Sequence, residues 1–148
     1  MHFCHEDFSV RLLSVLQLSW DEHIAHIEPR PYRGLTFRLQ GDANFILPDK
    51  WLKAGDKDIV YAPEQPDYDI VAGKEKVIVI HFLEHSSTPT EFMVRTPDDP
   101  QRAEALFVSL LECWSKKEPG YYFRALSIYP IFTILPSSRG FAAGSSSA

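Results

Sequence analysis

Cysteine is scarce: the 148 residues hold two, Cys4 and Cys113. Two thiols cannot make a cross-linked scaffold, so the core must come from apolar packing, and a reducing cytoplasm is the expected compartment. Positive charge is also short, with 15 Lys and Arg against 20 Asp and Glu, a formal net charge of −5. No stretch gathers the basic residues, which argues against direct binding of the chain to a polyanion such as DNA. No run reaches the roughly 18 apolar residues of a spanning helix, so no membrane partner is expected. The first ten residues, MHFCHEDFSV, lack the apolar centre of a secretory signal. A Gly-rich phosphate loop is missing, and no Ser or Cys has a His and a carboxylate at a motif spacing. Nothing in this inventory asks for catalysis, and the chain is read as not an enzyme.

What is present is strand pattern. With 45% hydrophobic residues, the chain can form one ordinary domain. Phe8–Leu18 is read as a first strand leading to Trp20, and Asp21–Ile27 stays open between a helical turn and a second strand. Pro29 and Pro31 break any helix there. Leu35–Leu39 alternates, with Leu35, Phe37 and Leu39 on one face and Thr36 and Arg38 on the other. Gly41-Asp42, Pro48-Asp49-Lys50 and Ala54-Gly55-Asp56 are turns, the last with Gly55 free to take left-handed geometry. They separate Phe45–Leu47, Trp51-Leu52 and Ile59–Ala62. Pro63–Asp69 reads as a loop and Ala72–Lys76 as a turn. Val77–Phe82 is apolar on both faces, Val77, Val79 and His81 on one and Ile78, Ile80 and Phe82 on the other, so it is expected to be covered on both sides.

Helical period follows. Ala103, Leu106, Phe107, Leu110, Leu111 and Trp114 make one stripe. Thr96 or Asp99 can cap its start, with Pro97 or Pro100 at the first helical position. Lys116 and Lys117 suit the helix C-terminus, and Pro119-Gly120 ends it. A second helix is expected from Tyr121 to about Leu135, kinked by Pro130 and stopped by Pro136. Residues 137–148, SSRGFAAGSSSA, read as a disordered tail. The expected organisation is a barrel with an N-terminal arm over residues 1–95, a helical pair over 96–135 and the tail from 136.

The order of the landmarks carries a resemblance. Arg30-Pro31-Tyr32, Leu35-x-Phe37-x-Leu39-x-Gly41, Leu52-x-Ala54-Gly55-Asp56, Pro63 with Tyr68, and Ile80-His81-Phe82 resemble the N-terminal domain of AraC-type transcriptional regulators. Gly120–Ile128 (GYYFRALSI) resembles that domain's second helix in regulators from Gram-positive bacteria. The resemblance covers roughly Phe8 to Leu135. It implies a mainly β fold with α: a cupin-type jelly-roll barrel followed by an antiparallel helical pair. It also implies a small-molecule effector, often a sugar, bound in the barrel, with ligand closing the mouth and ordering an arm near Met1–Asp7. A homodimer through the helices is implied too. DNA contact in that family belongs to a C-terminal domain with two helix-turn-helix units, for which the sequence shows no pattern after Pro136. The chain is therefore read as the effector-sensing and dimerisation domain of such a regulator without its DNA-binding part. The alternatives are a stand-alone cupin sugar-binding protein or a small cupin enzyme.

Candidate residues follow from both lines. Cupin enzymes hold a divalent metal with two His one residue apart, a Glu and a later His. Here Leu35–Arg38 contains no His, and no metal or other cofactor is expected. His23 and His26 would share a face only on a helix, and His2, Cys4 and His5 sit at a terminus. Arg30, Arg38, Tyr68 and His81 are the ligand-binding candidates. A guanidinium can fork across the oxygens of a sugar or a carboxylate. Each has a second reading: Arg30 and Arg38 as solvent-facing, His81 as a core histidine satisfied by backbone or a neighbouring strand, Tyr68, in the loop at the barrel mouth, as ordinary packing. Tyr122, Ala125, Leu126 and Tyr129 are the candidates for a subunit interface, or alternatively pack on their own barrel.

Overall fold

The computed structural model describes residues 10–65, 67–84 and 91–128. Strands come first: β1 (Val10–Trp20), β2 (His23–Ile27), β3 (Arg33–Gln40), β4 (Ala43–Ile46), β5 (Trp51–Ala54), β6 (Ile59–Ala62), β7 (Tyr68–Ala72), β8 (Glu75–Glu84) and β9 (Met93–Arg95). Two helices follow among the described residues, α1 (Pro100–Lys116) and α2 (Tyr121–Ile128). The strands form a five-stranded sheet, β1-β8-β3-β6-β9, and a four-stranded sheet, β2-β7-β4-β5, with antiparallel pairing throughout. The pairs nest, β1 with β8, β2 with β7, β3 with β6 and β4 with β5, as when one long hairpin is wrapped into a jelly roll.

The open segment after Asp21 is a strand, β2. Two strands escape the sequence pattern. Tyr68 and Asp69, read as loop, begin β7, and Ala72 and Glu75, read as turn, end β7 and begin β8. β7 lies between β2 and β4 and pairs with both, so tertiary hydrogen bonding overrides its Pro- and Asp-rich lead-in. β9, three residues long, is too short to show a period.

Two cores result. Leu35, Phe37, Ile59, Ile78, Ile80 and Phe82 turn one face of the large sheet towards Ala103, Phe107 and Leu110 of α1. Phe37 and Phe107 stack at 5.1 Å between ring centroids. The expected helical stripe is thus the buried one, with Leu106, Leu111 and Trp114 at its margins. Between the sheets lies the second core, built on Phe45, Val60, Ala62, Tyr68 and Phe92. β8 is covered on both faces, as its composition requires.

Turn chemistry departs from expectation at one place. Gly55 does not take the left-handed conformation; Lys57 does, at φ 69°. The Asp58 carboxylate accepts from the Gly55 N–H at 2.7 Å, and the Lys57 ammonium reaches the Leu39 carbonyl at 3.1 Å and Glu104 at 2.8 Å, which fixes the strained residue. Asp99 is the helix cap: its carboxylate accepts from the Arg102 N–H at 3.1 Å, while the Thr96 hydroxyl donates to Asp58 instead. α2 ends the described chain at Ile128. Its expected extension to Leu135 with Pro130 and Pro136, the tail and the N-terminal arm lie outside the described residues.

Phe107 has no exposed surface, so Phe107→Ala should lower the unfolding free energy by about 3–5 kcal/mol in a denaturant titration. Gly41 sits at φ +98°, where a Cβ would run into the Lys74 carbonyl, so Gly41→Ala should cost more than ~1 kcal/mol. Ile24, 79% exposed, is the control: Ile24→Ser should stay within about 0.5 kcal/mol of wild type.

Candidate functional site

The residues facing away from α1 on β3 and β8 border a cavity of about 240 Å³ together with the inner face of the small sheet. Gly34, Thr36 and Arg38 of β3 alternate with the core residues Leu35 and Phe37, and Val77, Val79 and His81 of β8 alternate with Ile78, Ile80 and Phe82. Phe45, Val60, Ala62, Ile70 and Tyr68 complete the walls. All four ligand-binding candidates, Arg30, Arg38, Tyr68 and His81, line this one space.

Arg38 is 2% exposed, which removes its solvent-facing reading. Its Nη2 donates to the Glu75 carboxylate, whose other oxygen accepts from the Trp20 indole N–H at 2.5 Å. Arg38 Nε and Nη1 are buried without a hydrogen-bond partner among the described residues. Leaving such donors unmet costs about 1–3 kcal/mol each. The guanidinium also lies 5.9 Å from the centroid of the Phe45 ring.

The other end of the cavity is four residues away along β3, about 13 Å. There Arg30 Nη2 lies 3.4 Å from the Tyr68 hydroxyl, with the guanidinium 5.1 Å from the centre of the Tyr32 ring. Tyr68 is 7% exposed, in contact with Phe45 and Phe92 rather than in a loop. Burial raises its phenol pKa, with Arg30 pulling the other way. His81 is half-buried; its Nδ1 meets the Ser14 hydroxyl at 3.2 Å and its ring lies 4.7 Å from that of Tyr32. A shift of register after Leu12 on β1 is what sets Ser14 opposite His81. Burial, and then the Arg30 charge, holds the imidazole below its usual pKa.

His23 and His26 point to opposite faces of β2, His23 into the cavity and His26 outward. They share no site, because the segment is a strand and three residues is an odd step. His26 binds Asp69 at 2.6 Å, a hydrogen bond that raises its pKa, helped by the charges of Asp69 and Asp67. Among the described residues, no three His, Cys, Asp or Glu side chains gather as metal ligands would.

Of the interface candidates, Ala125 is fully buried in the core beside α1, and Tyr122 packs on that core with its hydroxyl accepting from the Leu12 N–H at 3.1 Å. Ala125 therefore has no surface to offer a second subunit. The Leu126 side chain and Tyr129 lie outside the described residues. Glu75 and Gly34 were not foreseen. Their signal was the period of two, which carries Val79 and Val77 back to Glu75, and a glycine inside an alternating run.

No family model matches the chain, and no curated protein matches it. Solved structures do. The AraC-like transcriptional activator CuxR is 9% identical with a TM-score of 0.56, over 83% of this chain and 53% of its own. ToxT from Vibrio cholerae O395, bound to (E)-4-(8-methylnaphthalen-1-yl)but-3-enoic acid, is 8% identical with a TM-score of 0.53, over 84% of this chain and 55% of its own. The likeness is one of fold, a double-sheet barrel, and the chain spans about half the length of these two proteins. No helix among the described residues is long and apolar enough to cross a membrane.

The two histidines should contribute to stability with opposite pH dependence. His26, with its pKa raised, adds stability at low pH that is lost as pH climbs through its folded pKa. His81, with its pKa lowered, loses stability as pH falls from the unfolded value of about 6.5 towards its folded one. An NMR titration of the ring signals should give His26 the higher midpoint. A His81 midpoint at or above that of His26 would contradict the buried placement beside Arg30.

Proposed function

We propose that the chain is the effector-sensing domain of an AraC-type transcriptional regulator, taking a small molecule into the cavity between its sheets. The observation that carries this reading is the cavity between the sheets, with a buried, incompletely hydrogen-bonded Arg38 on its wall. A barrel packed for stability alone would put apolar side chains there, since a buried guanidinium costs more than it returns unless its donors are met. The fold shared with CuxR and ToxT supports the regulator class, and the organic acid bound to ToxT supports small-molecule binding. The role is binding, without turnover, in the cytoplasm. In a regulator of this type, contact with DNA is made by helix-turn-helix units and not by the effector domain. Two copies associate through the helical layer, on surfaces other than Ala125. Occupancy reaches that layer through β8, whose alternate residues face the cavity and α1.

A thermal-shift screen of the purified chain against common sugars, organic acids and amino acids tests the reading. At least one class should raise the unfolding midpoint saturably, by an amount equivalent to about 2.7 kcal/mol when ligand exceeds Kd a hundredfold. Val79→Phe, which fills the cavity, should remove the response while circular dichroism stays that of wild type. Silence across all three classes would sink the sensing role. Sedimentation as a monomer at high micromolar concentration, with and without the responding compound, would sink self-association.

A further inference from the structure

We propose that the ligand is a small monocarboxylate with an apolar body, its carboxylate seated over Gly34 between Arg30, Tyr68 and His81. This rests on the reading of the cavity as a ligand site and narrows what it takes.

Charge is the first argument. Arg30, Arg38 and Glu75 are the Arg, Lys, Asp and Glu side chains lining the cavity. Arg38 and Glu75 pair with each other. Arg30 has no carboxylate in ion-pair range among the described residues, its side-chain contacts being the Tyr68 hydroxyl and the Tyr32 ring. With the His81 pKa held down by burial and then by the Arg30 charge, Arg30 is the one Arg, Lys, Asp or Glu charge on the cavity wall without an opposite partner among the described residues. A monoanion balances it, whereas a neutral sugar supplies no charge to pair with it.

Geometry places the anion. A Cβ on Gly34 would lie 3.8 Å from Arg30 Nη2 and 3.8 Å from His81 Cδ2. The missing side chain therefore leaves a hollow flanked by both groups. His81 Nδ1 is occupied by Ser14, and Nε2, bonded to that same Cδ2, has no partner among the described residues. Guanidinium and imidazole thus flank one spot, with the Tyr68 hydroxyl 3.4 Å from the same Arg30 nitrogen, and a carboxylate can accept from each of these groups.

The walls choose the body. Between the Arg30 end and the Arg38 end stand Val60, Val77, Val79, Ile70 and Phe45, with the Thr36 hydroxyl among them. The hydroxyl groups of a sugar would meet hydrocarbon over most of that length, whereas an aromatic ring or short alkyl chain is matched. About 240 Å³ holds only a small molecule of this kind.

Isothermal titration of the whole chain at pH 7 with sodium benzoate, sodium hexanoate, benzamide and D-arabinose tests this. At least one carboxylate should bind about tenfold or more tighter than benzamide, with arabinose weaker still. Arg30→Gln should lower carboxylate affinity by a similar factor, and Arg30→Lys should restore part of it. Gly34→Ala, which fills the hollow through ordinary van der Waals contacts and keeps every charge, should also lower it, with the ligand-free unfolding midpoint near that of wild type. Benzamide or arabinose binding as tightly as the acids, carboxylate binding indifferent to Arg30→Gln, or silence from both acids would overturn the inference. The broader screen of sugars and amino acids would still register a ligand of another class, so the two failures are distinguishable.

Discussion

The register of β3 against β8 sets both the core and the cavity. Leu35 lies opposite Ile80, Phe37 opposite Ile78, and Thr36 opposite Val79. Side chains alternate across a strand, so a slip by one residue would send Leu35 and Phe37 into the cavity and Arg38 against α1. That exchange would strip the large apolar groups from the helix-facing core and bury a guanidinium against Phe107 or its neighbours. Burial of a side chain such as Phe37 or Ile78 stabilises by roughly 1.5–3 kcal/mol, and several such groups share this face, so the slipped arrangement is excluded by a wide margin. The site is thus held in place by packing that takes no part in it. Where the strand must leave this register it does so after Arg38, at an irregularity followed by Gly41, whose positive φ lets the chain pass close to Lys74 and Glu75.

Against that frame of apolar packing, the Arg38–Glu75 pair is the costly element. Both side chains are about 3% exposed, and the guanidinium is not fully met by protein acceptors in the way a purely structural ion pair requires. Glu75 is the better satisfied, with Arg38 on one oxygen and the Trp20 indole on the other. The imbalance sits on the guanidinium. The pair therefore neutralises net charge at one end of the cavity yet leaves donor capacity there, while Arg30 at the other end keeps its charge. One cavity accordingly has two chemically different ends, separated by hydrocarbon, and it imposes an orientation on whatever enters.

The parts of this arrangement that were legible in the sequence are the ones decided locally. The alternation in Leu35–Leu39 and Val77–Phe82 assigned each residue to a face, and the stripe from Ala103 to Trp114 assigned the helix that covers one of those faces. What stayed hidden was decided by partners remote in sequence. β7 is made by hydrogen bonds to β2 and β4, not by its own composition, and Tyr68 moved with it from a loop to a wall. Arg38 was ambiguous because a polar residue facing away from a core is solvated on a one-layer sheet and buried in a two-layer one. Only the position of the small sheet decides which. Gly34 shows the same limit: its meaning is the distance from its missing Cβ to Arg30 and His81, and His81 is its cross-strand partner on β8.

β8 also defines how occupancy of the cavity can be felt elsewhere. His81 and Val79 face the cavity, and Ile80 and Phe82, their chain neighbours, pack in the core against which α1 and α2 rest. α2 is tied to the same sheet at its far edge, where Tyr122 accepts from the Leu12 N–H on β1, two residues before Ser14, the partner of His81. A ligand that draws His81 towards the hollow over Gly34 acts on Ser14 and β1, and through Leu12 on Tyr122. Such a path transmits nothing unless the ligand binds one position of α2 more tightly than another, because a ligand indifferent to both shifts neither. The His81–Ser14–Leu12–Tyr122 sequence of contacts supplies a physical means for that preference.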